Sequence, residues 1–219
     1  MKFLIVGIGS IGKRHLRNLR ALGYGDLLAY RSSRRDVEAI EREFGVRSFF
    51  DLEQALAEKP DVVIVSNPTH WHIPVALAAA RAGAHLFLEK PLSHTLEGVS
   101  ELSALVKQHN LKAMVAYPLR FYAGTQKMRA LLKEGAIGQP LYVRAEVGSY
   151  LPDWRPGSDY RQVYSAHAEM GGGVLLDLSH EVDYLYWLFG PPENLTAQIQ
   201  NTGALEIDAE DNVDILMQT

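Results

Sequence analysis

A chain of 219 residues that is 47% apolar can bury a real core, as one large domain or two small ones. Its formal net charge of -4 gives no broad attraction for nucleic acid or an anionic membrane, and no apolar run approaches the length needed to cross a bilayer. The absence of cysteine excludes disulfides, thiolate metal sites and cysteine nucleophiles; with no signal-like pattern ahead of the first apolar run, the chain reads as a soluble cytoplasmic protein.

Phe3 to Val6 is a continuous apolar run, as expected of a strand buried on both faces. Ile11 to Leu22 follows with helical spacing, then a strand over Leu27 to Tyr30, a helix over Asp36 to Phe44 and a short strand over Arg47 to Phe50. Asp51 stands at the N-cap of a helix running to Ala57. Val62 to Val65 is the next strand, and the alanine-rich stretch from Pro74 to Ala82 is helical by propensity until Gly83 stops it. His85 to Leu88, Leu96 to His109 and Lys112 to Ala116 complete a strand, a helix and a strand. This alternation predicts a doubly wound parallel sheet over residues 1–118.

Past Tyr117 the rhythm changes. Tyr122 to Gly135 has the pattern of an amphipathic helix, and Leu141 to Tyr150 alternates as a strand would. Residues 151–169 read as a long ordered loop, Gly171 to Phe189 as one helix, and Asn194 to Asn201 and Asn212 to Gln218 as strands. Residues 119–219 thus predict an α+β domain with a largely antiparallel sheet. The chain stops within the last strand pattern, so that domain is expected to be incomplete, with Ile215 and Met217 on a poorly covered sheet.

Gly7, Gly9 and Gly12 stand at G-x-G-x-x-G spacing between the first strand and the first helix. The first glycine permits the turn, the second lets a pyrophosphate approach the backbone, and the third lets helix and strand pack closely. Unpaired amides at the helix start, around Ser10 and Ile11, would receive the phosphates. An NAD site normally has an acid at the end of the second strand. Here Tyr30 is followed by Arg31, Ser32, Ser33, Arg34 and Arg35, with no carboxylate before Asp36. Arg31, Ser32 and Arg34 suit a 2′-phosphate, so NADP is favoured over NAD; a merely solvated basic loop is the other reading.

Lys90 leaves a buried strand in the run Glu89-Lys90-Pro91, on the sheet edge where ligands of such folds bind. Its ammonium could hold a hydroxyl and stabilise an alkoxide as hydride departs. A surface lysine paired to Glu89 is the bland alternative. On the Gly171 to Phe189 helix, Asp177, His180 and Tyr184 would fall on one arc, with Asp177 orienting an imidazole that acts as general base, or else forming a structural pair with it. No metal site is expected, because His70 and His72 are too close for one helical face. Between these elements lie Tyr150, Trp154, Arg155, Tyr160, Arg161 and Tyr164, residue types that stack on sugar rings and bind anions, though they are equally at home in a subunit contact.

Taken in order, the glycine turn, Glu89-Lys90-Pro91 and the His180 segment resemble the glucose–fructose oxidoreductase, inositol dehydrogenase and MocA family, over essentially the whole chain. The resemblance implies a Rossmann domain and makes Lys90 the catalytic lysine and His180 the acid/base. Asn67-Pro68-Thr69-His70-Trp71-His72 resembles that family's cofactor-touching loop, so Asn67, Pro68, His72 and Glu89 join the cofactor set. Tyr117 to Phe121 resembles the segment lining the cleft, with Arg120 towards substrate. The family's aspartate usually stands four residues before the histidine, where Leu176 is found; Asp177 stands three before. Members are also longer, with a larger second sheet that forms the subunit interface, which implies a homo-oligomer for the full-length form. The leading expectation is an oxidoreductase acting on a sugar, nucleotide sugar or polyol. The rivals are a glycoside hydrolase of the same fold using transient redox with tightly held NAD, and a non-catalytic dinucleotide-binding regulator.

Overall fold

The computed structural model describes residues 1–219, which divide into two compact units, Met1–Ala116 and Tyr117–Thr219. In the first, six parallel strands lie in the order β3-β2-β1-β4-β5-β6. They are β1 (Phe3–Val6), β2 (Leu27–Tyr30), β3 (Arg47–Phe49), β4 (Val62–Val65), β5 (His85–Glu89) and β6 (Ala113–Ala116). Between them run α1 (Ser10–Ala21), α2 (Val37–Phe44), α3 (Leu52–Ala57), α4 (His72–Arg81) and α5 (Val99–Gln108). Strand order reverses either side of β1, which pairs with β2 at Phe3–Leu27 and with β4 at Phe3–Val62. A reversal of this kind opens a crevice at the carboxyl ends of the strands.

The alternation of the strands sorts the core into two layers. Phe3, Ile5, Leu27, Ala29 and Ile64 face Leu16 and Leu19 of α1 and Ile40 and Phe44 of α2. Leu4, Val6, Leu28, Val63, Val65, Leu86 and Leu88 face Ala55 and Leu56 of α3, Ile73, Ala76 and Ala80 of α4, and Leu102 of α5. Each full burial of such a side chain stabilises the fold by about 1.5–3 kcal/mol. Asp51 caps α3 as expected, accepting from the Gln54 amide at 2.9 Å. The helix anticipated from Leu96 begins instead at Val99, because Gly98 sits in the left-handed region at φ 72° and closes the preceding turn.

The second unit contains α6 (Ala123–Lys133), α7 (Val174–Asp177), α8 (His180–Phe189) and an antiparallel pair, β7 (Asn194–Gln200) and β8 (Asn212–Gln218). Two expectations are corrected here. Leu141 to Tyr150 is not a strand: it belongs to no sheet, and Leu141 and Tyr142 are 95% and 79% exposed. Alternating side chains suit a strand, but a strand exists only with a ladder partner, and this segment has none. Gly171 to Phe189 is not one helix either. It breaks between α7 and α8, where Leu178 adopts φ -102°, ψ 24° and ends the first turn. Asp177 and His180 therefore lie on different helices, and the one-arc argument fails. The loop of residues 151–169 is ordered through four short 3-10 turns, Leu151–Trp154, Tyr160–Gln162, Tyr164–Ala166 and Ala168–Met170, the last reaching one residue past it.

Candidate active site

Parallel pairing brings the carboxyl ends of β1, β4 and β5 to one edge of the first unit. Gly7 leaves β1 at φ +90°, and a side-chain carbon there would fall 2.7 Å from the Asn67 amide nitrogen. A carbon on Gly12 would meet the Gly7 carbonyl oxygen at 2.0 Å, so strand and helix touch where only glycine allows it. Gly9, by contrast, has open space to 4 Å. No side chain caps α1 at Ser10 and Ile11, its first turn has no acid, and the Lys13 amide donates to the Gly9 carbonyl at 3.0 Å. Unpaired amides and the positive end of the helix dipole, set beside open space, suit a pyrophosphate. Among the buried polar atoms of this unit without a partner are Asn67 Oδ1 and Arg31 Nη1, which follow β4 and β2. The residues present fit a dinucleotide.

Arg31 follows β2, and its Nη2 donates to the Arg35 carbonyl at 2.5 Å, folding the guanidinium over its own loop. Arg34 lies over the Phe50 ring at 4.2 Å, and Ser32 is exposed. Glu89 ends β5 and pairs with His15 Nε2 at 2.8 Å, with side chains 21% and 15% exposed. His15 escaped the sequence reading, although it sits one turn beyond buried Gly12 on the sheet-facing side of α1. Half-buried Lys90 comes next. The Pro68 carbonyl accepts the Trp71 amide at 3.0 Å, closing the turn after Asn67. His72 is fully buried, with its ring among backbone carbonyls.

In the second unit, Arg120 donates through Nε and Nη2 to the two oxygens of Asp183 at 2.8 and 2.7 Å. Asp183 was not anticipated; its signal was its place one turn beyond His180 on α8. The Tyr117 ring stands edge-on to the His180 ring, with centroids 5.7 Å apart. Asp177, buried on α7, accepts from the Tyr164 hydroxyl at 2.9 Å. Burial, and then the charge of Asp177, pushes the Tyr164 phenol up to about 12, so it remains a donor. Glu210 holds the start of α7, its carbonyl accepting from Val174 and its carboxylate from Leu175.

The aromatic segment is partly self-satisfied. Trp154 Nε1 donates to Ser149 at 2.7 Å, Arg155 lies 5.7 Å from the Tyr164 ring, and Tyr150 is 61% exposed. Arg161 forks onto Asp159 at 2.9 Å and reaches Glu206 at 2.7 Å, while the Glu206 amide donates to the Tyr160 hydroxyl. An anionic ligand would have to displace the chain's own carboxylates from Arg161.

The profile of an oxidoreductase family with an NAD-binding Rossmann fold matches residues 1–117, and that of the GFO/IDH/MocA C-terminal domain matches residues 125–219. The chain is 28% identical to myo-inositol 2-dehydrogenase of Thermotoga maritima, over 87% of this chain and 55% of the relative. It is 30% identical to 1,5-anhydro-D-fructose reductase of Ensifer adhaerens, over 95% of this chain and 63% of the relative. The fold matches the WlbA dehydrogenase of Bordetella pertussis, solved with NADH and UDP-GlcNAcA, at a TM-score of 0.82 and 24% identity, covering 99% of this chain and 66% of that one. The chain thus spans between about half and two thirds of the length of these proteins.

Proposed function

The chain belongs to the GFO/IDH/MocA family of oxidoreductases, and we propose that it moves hydride between a nicotinamide dinucleotide and a hydroxyl or keto carbon of a sugar, nucleotide sugar or polyol. The observation that carries this reading is the coincidence, on one edge of the parallel sheet, of the open turn at Gly9 and the ammonium of Lys90. The bound dinucleotide would supply the hydride acceptor or donor. Gly7, Gly9, Gly12 and the start of α1 bind its pyrophosphate, and the Asn67 Oδ1 acceptor would accept from a hydroxyl or amide N–H of the dinucleotide. Lys90 holds the substrate oxygen and stabilises the charge it gains, and His180 takes or returns the proton, as alcohol oxidation requires. The named relatives act on an inositol and an anhydrosugar, which supports a polyhydroxylated substrate.

We assign NADP as the favoured cofactor on the basis of Arg31, whose Nη1 is buried without a partner, and of the missing carboxylate after β2. The NADH in the WlbA complex belongs to that protein and makes the comparison worth measuring.

The test screens myo-inositol, 1,5-anhydro-D-fructose and UDP-GlcNAcA with NAD(H) and NADP(H), following absorbance of the reduced nicotinamide. Lys90→Met should cut turnover by roughly two to four orders of magnitude while leaving dinucleotide affinity nearly unchanged. Wild-type turnover in that variant would refute the role of Lys90. Fluorescence titration should show tighter NADPH than NADH binding and a reversed order in Arg31→Asp; tighter NADH binding by the wild type would refute the cofactor assignment.

A further inference from the structure

His72 is the first residue of α4 and is 1% exposed, among the most buried side chains of the chain. Its Nδ1 lies 2.8 Å from the Pro91 carbonyl oxygen and its Nε2 2.9 Å from the Asn67 carbonyl oxygen. Both oxygens are backbone atoms, and the neutral ring carries one N–H, so it donates to one of them, the nearer Pro91 carbonyl, while packing against the other turn. One turn follows β4 and the other follows β5. The first is in turn fastened to the glycine turn: the Ser66 amide donates to Val6 at 2.8 Å, and its hydroxyl donates to the Gly7 carbonyl at 2.9 Å. Gly7 and Ser66 are thus joined by a hydrogen bond, Ser66 and Asn67 by the chain, and His72, whose ring lies against the Asn67 carbonyl, reaches Pro91, next in sequence to Lys90.

An apolar side chain would fill the space around His72 more cheaply, since a buried imidazole is costly unless its nitrogens are paired. Pro91 has no amide of its own to contribute to a ladder, which leaves its carbonyl as the natural handle on this turn. The sequence reading placed His72 against the cofactor, but both ring nitrogens point at backbone carbonyls instead.

We propose that His72 is a positioning residue: its Nδ1–H bond to the Pro91 carbonyl fixes the turn that carries Lys90 at the height of the dinucleotide turn. The proposal rests on the reading of Lys90 as an acid/base group, and the two can fail separately. Asparagine places an amide near the position of Nδ1 and glutamine one near Nε2. His72→Asn should therefore keep the Pro91 bond, His72→Gln should place its amide towards Asn67 and lose the Pro91 bond, and His72→Phe should make neither.

The experiment measures two quantities on the four proteins, each first checked for a cooperative thermal transition. One is the extent of acetic anhydride labelling of half-buried Lys90 at a fixed pH, read by mass spectrometry against the other lysines, which needs no substrate. The other is kcat and KM with myo-inositol and either dinucleotide. The phenylalanine and glutamine variants should shift Lys90 labelling towards that of a surface lysine. They should also lose roughly 10- to 100-fold in kcat, the cost of a displacement of about 1 Å, with KM for dinucleotide little changed. The asparagine variant should retain wild-type labelling and most of kcat. Unchanged Lys90 labelling in the glutamine and phenylalanine variants would overturn the proposal, as would equal damage in the asparagine and glutamine variants. If Lys90→Met proves active, the acid/base reading falls, and the labelling result still decides whether His72 sets the lysine. Should the phenylalanine variant fail to fold, the asparagine and glutamine pair carries the same discrimination.

Discussion

Leu4 and Leu216 are both strand leucines, yet the first is fully buried and the second 73% exposed. The contrast extends to the units that hold them. In the first, both faces of the sheet are covered by helices and both apolar layers are closed. In the second, β7 is exposed along its whole length, and the strands and α8 border an open trough of about 1500 Å³ lined by Val182, Leu185, Phe189, Leu195, Ile215 and Met217. A parallel sheet with helices on both faces completes its core within its own stretch of chain, whereas a two-stranded antiparallel pair cannot. The proposed dinucleotide site thus lies on the unit whose geometry is fixed by packing.

The largest effect expected is that of Leu4→Ala, which should destabilise the first unit by about 2–5 kcal/mol, the usual cost of a buried leucine. Urea unfolding followed by far-UV circular dichroism measures it, and a loss below about 1 kcal/mol would mean that the layered core is looser than its burial implies.

A pH-dependent contribution comes from His72. Burial outweighs the two carbonyls and the charge of Glu89, which favour the protonated ring, and His70 adds to burial, so its pKa in the folded protein lies below its ordinary 6.5. Between those values the unfolded chain binds more protons than the folded one, so the stabilisation is complete above about 6.5 and is lost as pH falls. Unfolding free energy measured from pH 7.5 down to 5.5 should fall more steeply in the wild type than in His72→Asn. Parallel curves would remove His72 from the acid response.

Asp51→Ala removes the N-cap of α3 and should cost about 1 kcal/mol, less than a core leucine because the capped amide can turn to water. Smallest of all, Leu216→Ala should change stability by less than about 0.5 kcal/mol, since an exposed side chain loses little on truncation. A cost near that of Leu4→Ala would break the comparison between the units, showing the β7–β8 face to be covered in solution.

The same difference explains what could be read from the sequence. Continuous apolar runs such as Val62 to Val65 announce strands buried on both faces, and the glycines at positions 7, 9 and 12 need no partner to declare their turn. Leu141 to Tyr150 misled because alternation reports a surface to be half-covered but says nothing about whether a neighbouring strand exists. The break at Leu178 was hidden because leucine is a good helix former, and the N-terminal anchoring of α7 comes from distant Glu210. Among site residues, those defined by backbone geometry were legible. Those defined by a long-range partner, such as His15 by Glu89 and Asp183 by Arg120, needed the fold.

The uncovered face of β7 and β8 has a calorimetric consequence. Heat capacity of unfolding and the denaturant slope both grow with the apolar surface that unfolding newly exposes. A unit whose apolar side chains already meet water has little left to expose, so nearly all of the heat capacity increment should belong to Met1–Ala116. The second unit should then unfold over a broad range of temperature, with an enthalpy that varies only weakly as its midpoint is moved by pH or salt.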